Sequence, residues 1–220
     1  MPRFDTLTQI HKAIRAMVYQ TGGDLQRTDF TREDRAAGAG TELDPVLHLL
    51  REHHQTEEVY LYPQLQPLEG ELVEQMLAQH ADVQRLLDVA GEARRQLDVD
   101  EPKARVAAGE DLNRRFNELV ASYLEHLAQE EDKVLPATWK HFDDAALIAI
   151  QGRIIAEMDP GDLFQWLRWM FKGLNRMELT AILAGARHSM PEPAIDAVRA
   201  LGAESLEPAE WEAVRAGAGL

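Results

Sequence analysis

His53-His54-Gln55-Thr56-Glu57-Glu58-Val59-Tyr60-Leu61-Tyr62-Pro63 decides how this chain is read, because its frame returns as His126-Leu127-Ala128-Gln129-Glu130-Glu131-Asp132-Lys133-Val134-Leu135-Pro136. Both runs have the form His-x-x-x-Glu-Glu-x-x-x-x-Pro. Four residues make about one helical turn, so each His and the first Glu after it project from one helix face and can close on one point. The prolines follow where a helix ends or kinks.

Each run continues an apolar stripe. Glu57 falls between Leu50 and Leu61, and Glu130 between Leu127 and Val134. A buried carboxylate without a partner costs several kcal/mol, against a total domain stability of about 5–15 kcal/mol. Two of them require a cation. The inward stripes are nearly free of Lys and Arg and instead carry His11, His53, His80 and His126. Four buried imidazoles cannot all be protonated, but as neutral groups they are metal donors. One His from each of four helices and one Glu from each of two make a six-ligand set, sized for two metal ions with the carboxylates free to bridge. Imidazole and carboxylate without sulfur suit iron, manganese or zinc, and spacing does not choose among them.

Apolar periodicity predicts helices near 5–27, 43–66, 71–97 and 102–140. The first presents Leu7, Ile10, His11, Ile14, Met17 and Val18; the third presents Val73, Leu77, His80, Val83 and Leu87; the fourth presents Leu112, Phe116, Leu119, Tyr123, His126 and Leu127. Residues 28–41 read as a break, and Asp44-Pro45 as a helix start. Short connections and similar lengths predict an all-α fold, an up-and-down four-helix bundle over 1–140. Beyond 140, short segments punctuated by Asp159-Pro160-Gly161, Pro191, Pro193 and Pro208 predict a smaller helical extension over 141–220. Its apolar group of Leu163, Trp166, Leu167, Trp169, Met170 and Phe171 is expected to pack on the bundle or to make a homo-oligomer.

The 220 residues include no cysteine, which excludes disulfides, thiolate metal sites and cysteine nucleophiles. A net charge of −15 argues against nucleic acid as a partner. No apolar run is long enough for a membrane span and the N-terminus lacks a signal-like region, so a cytoplasmic location is expected.

The run His53 to Pro63, its partner His126 to Pro136, and the Ile10-His11-Lys12-Ala13-Ile14-Arg15 segment resemble the hemerythrin-like, or HHE cation-binding, family over residues 1 to about 140. That resemblance implies two iron ions in an oxo- or hydroxo-bridged centre. Ferritin-like carboxylate proteins carry Glu-x-x-His on two helices, and this chain has no Glu-x-x-His. Oxygen-carrying hemerythrins have two His one turn apart on the third helix and five in all; here Met76 and Gln84 flank His80 at one turn. The difference argues against simple reversible oxygen carriage. His54 is the substitute ligand, or else a partly exposed helix residue. Tyr60 and Tyr123 are expected near the metals, either as core residues or as hydrogen-bond donors or ligands. His48, His141 and His188 read as structural or solvated.

Two functions follow from the resemblance. One is a redox-active di-iron protein that binds, senses or decomposes O2 or peroxide, with His11, His53, His80 and His126 as terminal ligands and Glu57 and Glu130 as bridges. The other is a non-catalytic iron store or donor. A third reading, a helical module whose His and Glu are incidental, requires the metal-free protein to be as stable as the loaded one.

Overall fold

A computed structural model describes residues 3–187 and 190–220, and every regular element among them is a helix. His188 lies outside the described residues. In chain order the helices are α1 (Thr8–Arg27), α2 (Glu33–Thr56), α3 (Tyr62–Leu65), α4 (Gly70–Arg95), α5 (Pro102–Gln129), α6 (Leu135–His141), α7 (Asp144–Glu157), α8 (Pro160–Gly173), α9 (Arg176–Ala186), α10 (Glu192–Ser205) and α11 (Pro208–Ala218). Single π-helical turns, Glu57–Leu61 and Glu130–Val134, join α2 to α3 and α5 to α6. Among the described residues no helix is long and apolar enough to cross a membrane.

The chain forms two compact units, Met1–Leu7 with Met17–Met158, and Thr8–Ala16 with Asp159–Leu220. The first unit thus includes α7, and the first part of α1 groups with the second unit.

In the first unit α4 lies beside α5, and α2 beside both. The expected break over 28–41 is mostly helix, since α2 begins at Glu33. Its first turn carries Glu33 and Asp34, which suit the positive end of the helix dipole. Ala36, Gly40 and Leu43 are already on its buried face. Asp44-Pro45 is therefore no helix start. Pro45 sits inside α2, and the Asp44 carboxylate takes a two-pronged contact from Arg94 of α4 at 2.9 and 3.1 Å. Gly40 makes room for it: a Cβ there would lie 2.8 Å from the Arg94 guanidinium carbon.

On α4 the inward stripe is Val73, Met76, His80, Val83, Leu87 and Ala90, whereas Leu77, expected inward, is 38% exposed. The alternating three- and four-residue steps of the observed stripe leave Leu77 one position off the face. α5 starts where Glu101 caps the Lys103 and Ala104 amides and Pro102 fills the first position, where no N–H is needed. Buried Arg105 donates to the carbonyls of Phe30, Thr31, Val99 and Asp100 and so ties two interhelical links together.

The two π turns explain the repeated prolines. In an unbroken α-helix the rings of Pro63 and Pro136 would press on the carbonyls of Val59 and Asp132. Instead the ladder widens by one residue just before each proline: the Tyr62 amide reaches the Glu57 carbonyl and the Leu135 amide the Glu130 carbonyl. Leu61, Tyr62, Leu65, Val73, Met76, Val134 and Leu135 form an apolar layer beside these turns.

The second unit has its own core of Phe171, Leu179, Leu183, Val198, Leu201, Trp211 and Val214. Phe171 meets Trp211 edge-on at 5.9 Å, and the Trp211 ring lies where a side chain at position 202 would be, which demands Gly202. In this unit Lys12 pairs with Glu178 at 2.5 Å.

Candidate metal centre

Inside the first unit, α2 and its π turn contribute His53, His54 and Glu57, α4 contributes His80, and α5 and its π turn contribute His126 and Glu130. All six are buried. Nε2 of His80 lies 3.0 Å from Nε2 of His126. Glu57 places its two oxygens 3.5 Å from Nε2 of His53 and 3.5 Å from Nε2 of His80, and Glu130 places one 3.3 Å from Nε2 of His126. Ligand atoms of Glu57, His80, His126 and Glu130 all fall within 4.8 Å of one another, as do those of His54, His80 and His126.

The far side of each ring fixes where its proton sits. Nδ1 of His80 donates to Glu58 Oε1 at 2.9 Å, and Nδ1 of His126 donates to Gln79 Oε1 at 3.0 Å. The Gln79 amide is oriented by its own donation to Gln129 Oε1 at 3.0 Å. A neutral imidazole protonated at Nδ1 carries its lone pair on Nε2. Burial, and then the neighbouring His126, holds His80 below the usual imidazole range and so keeps it neutral. Nε2 of His80 and Nε2 of His126 thus approach to 3.0 Å, a distance at which two neutral rings protonated at Nδ1 would need a cation between them.

The carboxylates point to the same conclusion. Neither oxygen of Glu57 has a hydrogen-bond partner in the protein. Burial, followed by the Glu130 carboxylate, pushes Glu57 well above the usual carboxylate range. Tyr62 donates its hydroxyl to Glu130 Oε1 at 2.5 Å and lies 3.4 Å from Nε2 of His80. Buried imidazole and carboxylate donors converging without sulfur fit a first-row transition metal, and they can neutralise it only together.

The Hemerythrin HHE cation binding domain model matches residues 3–138. The chain belongs to that family. The match spans both repeats of the hemerythrin domain and the helices that carry its donors. No curated protein and no solved structure matches the chain significantly.

Within this hemerythrin domain each residue singled out from the sequence has a definite place. His53, Glu57, His80, His126 and Glu130 come together in the first unit, while His11 is fully buried on α1. His54 is 4% exposed, a core residue and not a partly exposed one. Tyr123 donates to the Leu50 carbonyl at 2.9 Å, so its hydroxyl is engaged by backbone while its ring stacks on His54 at 4.6 Å. Tyr60 does not reach the centre: its hydroxyl donates to Glu157 at 2.9 Å and Arg153 lies over its ring. The π turn is the reason, since it carries Tyr60 outward and brings Tyr62 onto the donor face. His141 contacts Glu69 at 2.7 Å, and His48 is exposed.

Tyr62, Glu58 and Gln79 were not foreseen as parts of the centre. Tyr62 lies five residues after Glu57, a step that leaves the face of an α-helix but nearly completes a wider π turn. The proline after Tyr62 was the available signal. Glu58 is reached by His80 from another helix, and no local pattern encodes that contact.

Proposed function

We propose that this hemerythrin domain holds two iron ions and binds O2 or peroxide at them. The observation that carries the reading is the 3.0 Å approach of Nε2 of His80 to Nε2 of His126, beside a buried Glu57 carboxylate with no hydrogen-bond partner. Two positions are supported by the donor groups themselves. His80 and His126 lie with Glu57 and Glu130, and Glu57 also approaches His53, while His11 is proposed as a further nitrogen from its place on the helical stripe of α1 alone. Glu57 and Glu130 are the two carboxylates of the centre and would bridge the ions when bound. Iron, when bound, supplies an exchangeable coordination position and one-electron redox chemistry for a small oxygen species. The protein's own residues do the rest: Glu58 and Gln79 orient the imidazoles, Tyr62 holds Glu130, and the apolar layer of Leu61, Val73, Met76 and Val134 limits water. We place these donors in an up-and-down four-helix bundle, for which the lengths and pairwise neighbours of α2, α4 and α5 are the support.

The test is the metal content and visible spectrum of protein purified without added metal, before and after exposure to O2 and to hydrogen peroxide. About two irons per chain and a spectrum that responds to either oxidant are expected. Iron that is present but surrendered at once to a weak chelator, with no response to oxidant, favours the storage or donor role. Full stability with no metal bound sinks both.

A further inference from the structure

Behind His126 the hydrogen bonds continue from Gln79 outward to the protein surface. Gln129 Oε1 accepts from Gln79 Nε2 at 3.0 Å, from Gln75 Nε2 at 3.3 Å and from Lys133 Nζ at 3.1 Å. Lys133 lies in the second π turn and reaches back four residues to Gln129, along the segment that carries Glu130. His126 is buried, Gln79 and Gln129 are half-buried, and Gln75 and Lys133 are exposed. Gln79, Gln129 and Lys133 thus connect a buried imidazole to solvent.

Within this relay Lys133 has a single possible role. A glutamine amide either donates or accepts, and a neutral imidazole carries its proton on either nitrogen, but an ammonium has no acceptor. Lys133 must donate, so Gln129 presents its oxygen. Gln79 must then give its N–H to that oxygen and turn its own oxygen toward His126. An imidazole meets an oxygen only with an N–H, which fixes the His126 proton on Nδ1 and its lone pair on Nε2. The direction of each bond is set from the surface inward. His80 is governed from the opposite charge: the Glu58 carboxylate accepts directly from its Nδ1 at 2.9 Å.

We infer that Lys133 is a positioning residue that sets, through Gln129 and Gln79, which nitrogen of His126 is free to bind metal. A surface anion behind His80 and a surface cation behind His126 thereby bring both rings to the same tautomer. The consequence for binding rests on the reading of His126 as a metal ligand, whereas the tautomer is a property of the metal-free chain. Simple Coulomb repulsion predicts the opposite dependence, since reversing a positive charge near a bound cation tightens binding. Through the relay, Lys133→Glu weakens binding instead. An acceptor at that position turns the Gln129 amide round, sets the Gln79 N–H against Nδ1 of His126 and moves the ring proton to Nε2.

The experiment compares the full-length wild type with Lys133→Arg, Lys133→Glu, and Lys133→Glu combined with Gln79→Glu. Long-range proton–nitrogen correlation spectra of the metal-free proteins at about pH 8, above the ordinary imidazole range, read the tautomer of His126. Anaerobic competition with a chelator reads the affinity for ferrous iron. Wild type and Lys133→Arg are expected to carry the proton on Nδ1 and to bind iron equally. Lys133→Glu is expected to carry it on Nε2 and to bind about 10-fold more weakly. In the double variant the side chain at position 79 only accepts, so the proton is expected back on Nδ1 and the affinity restored. A His126 proton that stays on Nδ1 in Lys133→Glu, or iron bound by that variant as tightly as by wild type, overturns the role of Lys133 and leaves the metal reading standing. No iron bound by the wild type overturns the metal reading, and the tautomers of the metal-free proteins then decide the relay by themselves.

Discussion

Glu58 accepts a hydrogen bond from Nδ1 of His80 at 2.9 Å, whereas the same nitrogen of His126 meets only the neutral amide of Gln79. The two halves of the sequence repeat are therefore chemically unequal, although their spacing is identical. A carboxylate behind an imidazole makes it a better donor, and loss of such a partner typically weakens metal binding about 10–100-fold. Glu58→Ala is accordingly expected to weaken binding by about 10-fold or more, and Gln79→Ala by less. Competition with a chelator of known affinity measures both. Equal, negligible losses would remove Glu58 from the site.

Glu57 opposes folding when no cation is present. Replacing a buried charge by an apolar side chain of similar size is often neutral or stabilising by about 1–4 kcal/mol. Glu57→Leu in the metal-free state is thus expected to unfold at the same or higher urea concentration than metal-free wild type. In the presence of iron the order reverses, because the variant loses the bridge. Urea titrations of four samples, each protein with and without metal, give the answer. A metal-free variant less stable than metal-free wild type by more than about 1 kcal/mol would mean that Glu57 is held by the protein alone.

The pH dependence of the metal-free protein has two opposed sources. The Glu57 carboxyl is raised well above its ordinary 4.5, chiefly by burial. Its contribution is complete below 4.5 and is lost as pH rises through the raised folded value. His54 is lowered well below 6.5, again chiefly by burial, so its contribution is complete above 6.5 and is lost as pH falls. In Glu57→Gln the loss on the neutral side should shrink while the loss on the acid side remains. Stability curves from pH 4 to 8 for both proteins test this, and an unchanged neutral limb in the variant would contradict it. Metal takes the place of the proton on Glu57, so the affinity of the wild type for iron should climb through the same range.

Tyr62→Phe preserves the ring contact with His80 at 5.3 Å and deletes the hydroxyl that donates to Glu130. Hydrogen bonds to charged groups contribute about 1.5–3 kcal/mol, so metal-free stability should fall by about that amount. The charge-transfer bands of the loaded protein should shift as well, since Glu130 then binds metal without a competing donor. Unaltered stability and unaltered bands together would place Tyr62 outside the centre.

Much of this was legible in the sequence because helical spacing is a local property. The stripes that carry His53, Glu57, His126 and Glu130 follow from counting residues, and so does the burial of Glu57 and Glu130, beside which Glu58 is exposed. The start of α2 is hidden because Gly38 and Gly40 resemble a loop and Asp44-Pro45 resembles a helix start, while burial of Ala36 and Leu43 and the Arg94 contact to Asp44 override that local signal. Tyr60 is expected near the metals only if an α-helix continues unbroken past Glu57, and the π turn removes that condition. The grouping of Thr8–Ala16 with Asp159–Leu220 joins segments far apart in the chain, and composition carries no trace of it.

The π turns have a consequence for how this site tolerates change. Each inserts one residue between the glutamate and the proline, and in a helix one residue is about 100° of rotation. Deleting any single residue from Val59 to Leu61 would set Tyr62 four residues after Glu57, a step that only an α turn keeps on one face, so the widened turn would have to close and the Pro63 ring would press on the carbonyl four residues before it. A substitution at Val59, which is 59% exposed, touches nothing of the kind. The position of Tyr62 against Glu130 is thus recorded in the length of the segment between Glu57 and Pro63, more than in the identity of the residues that fill it.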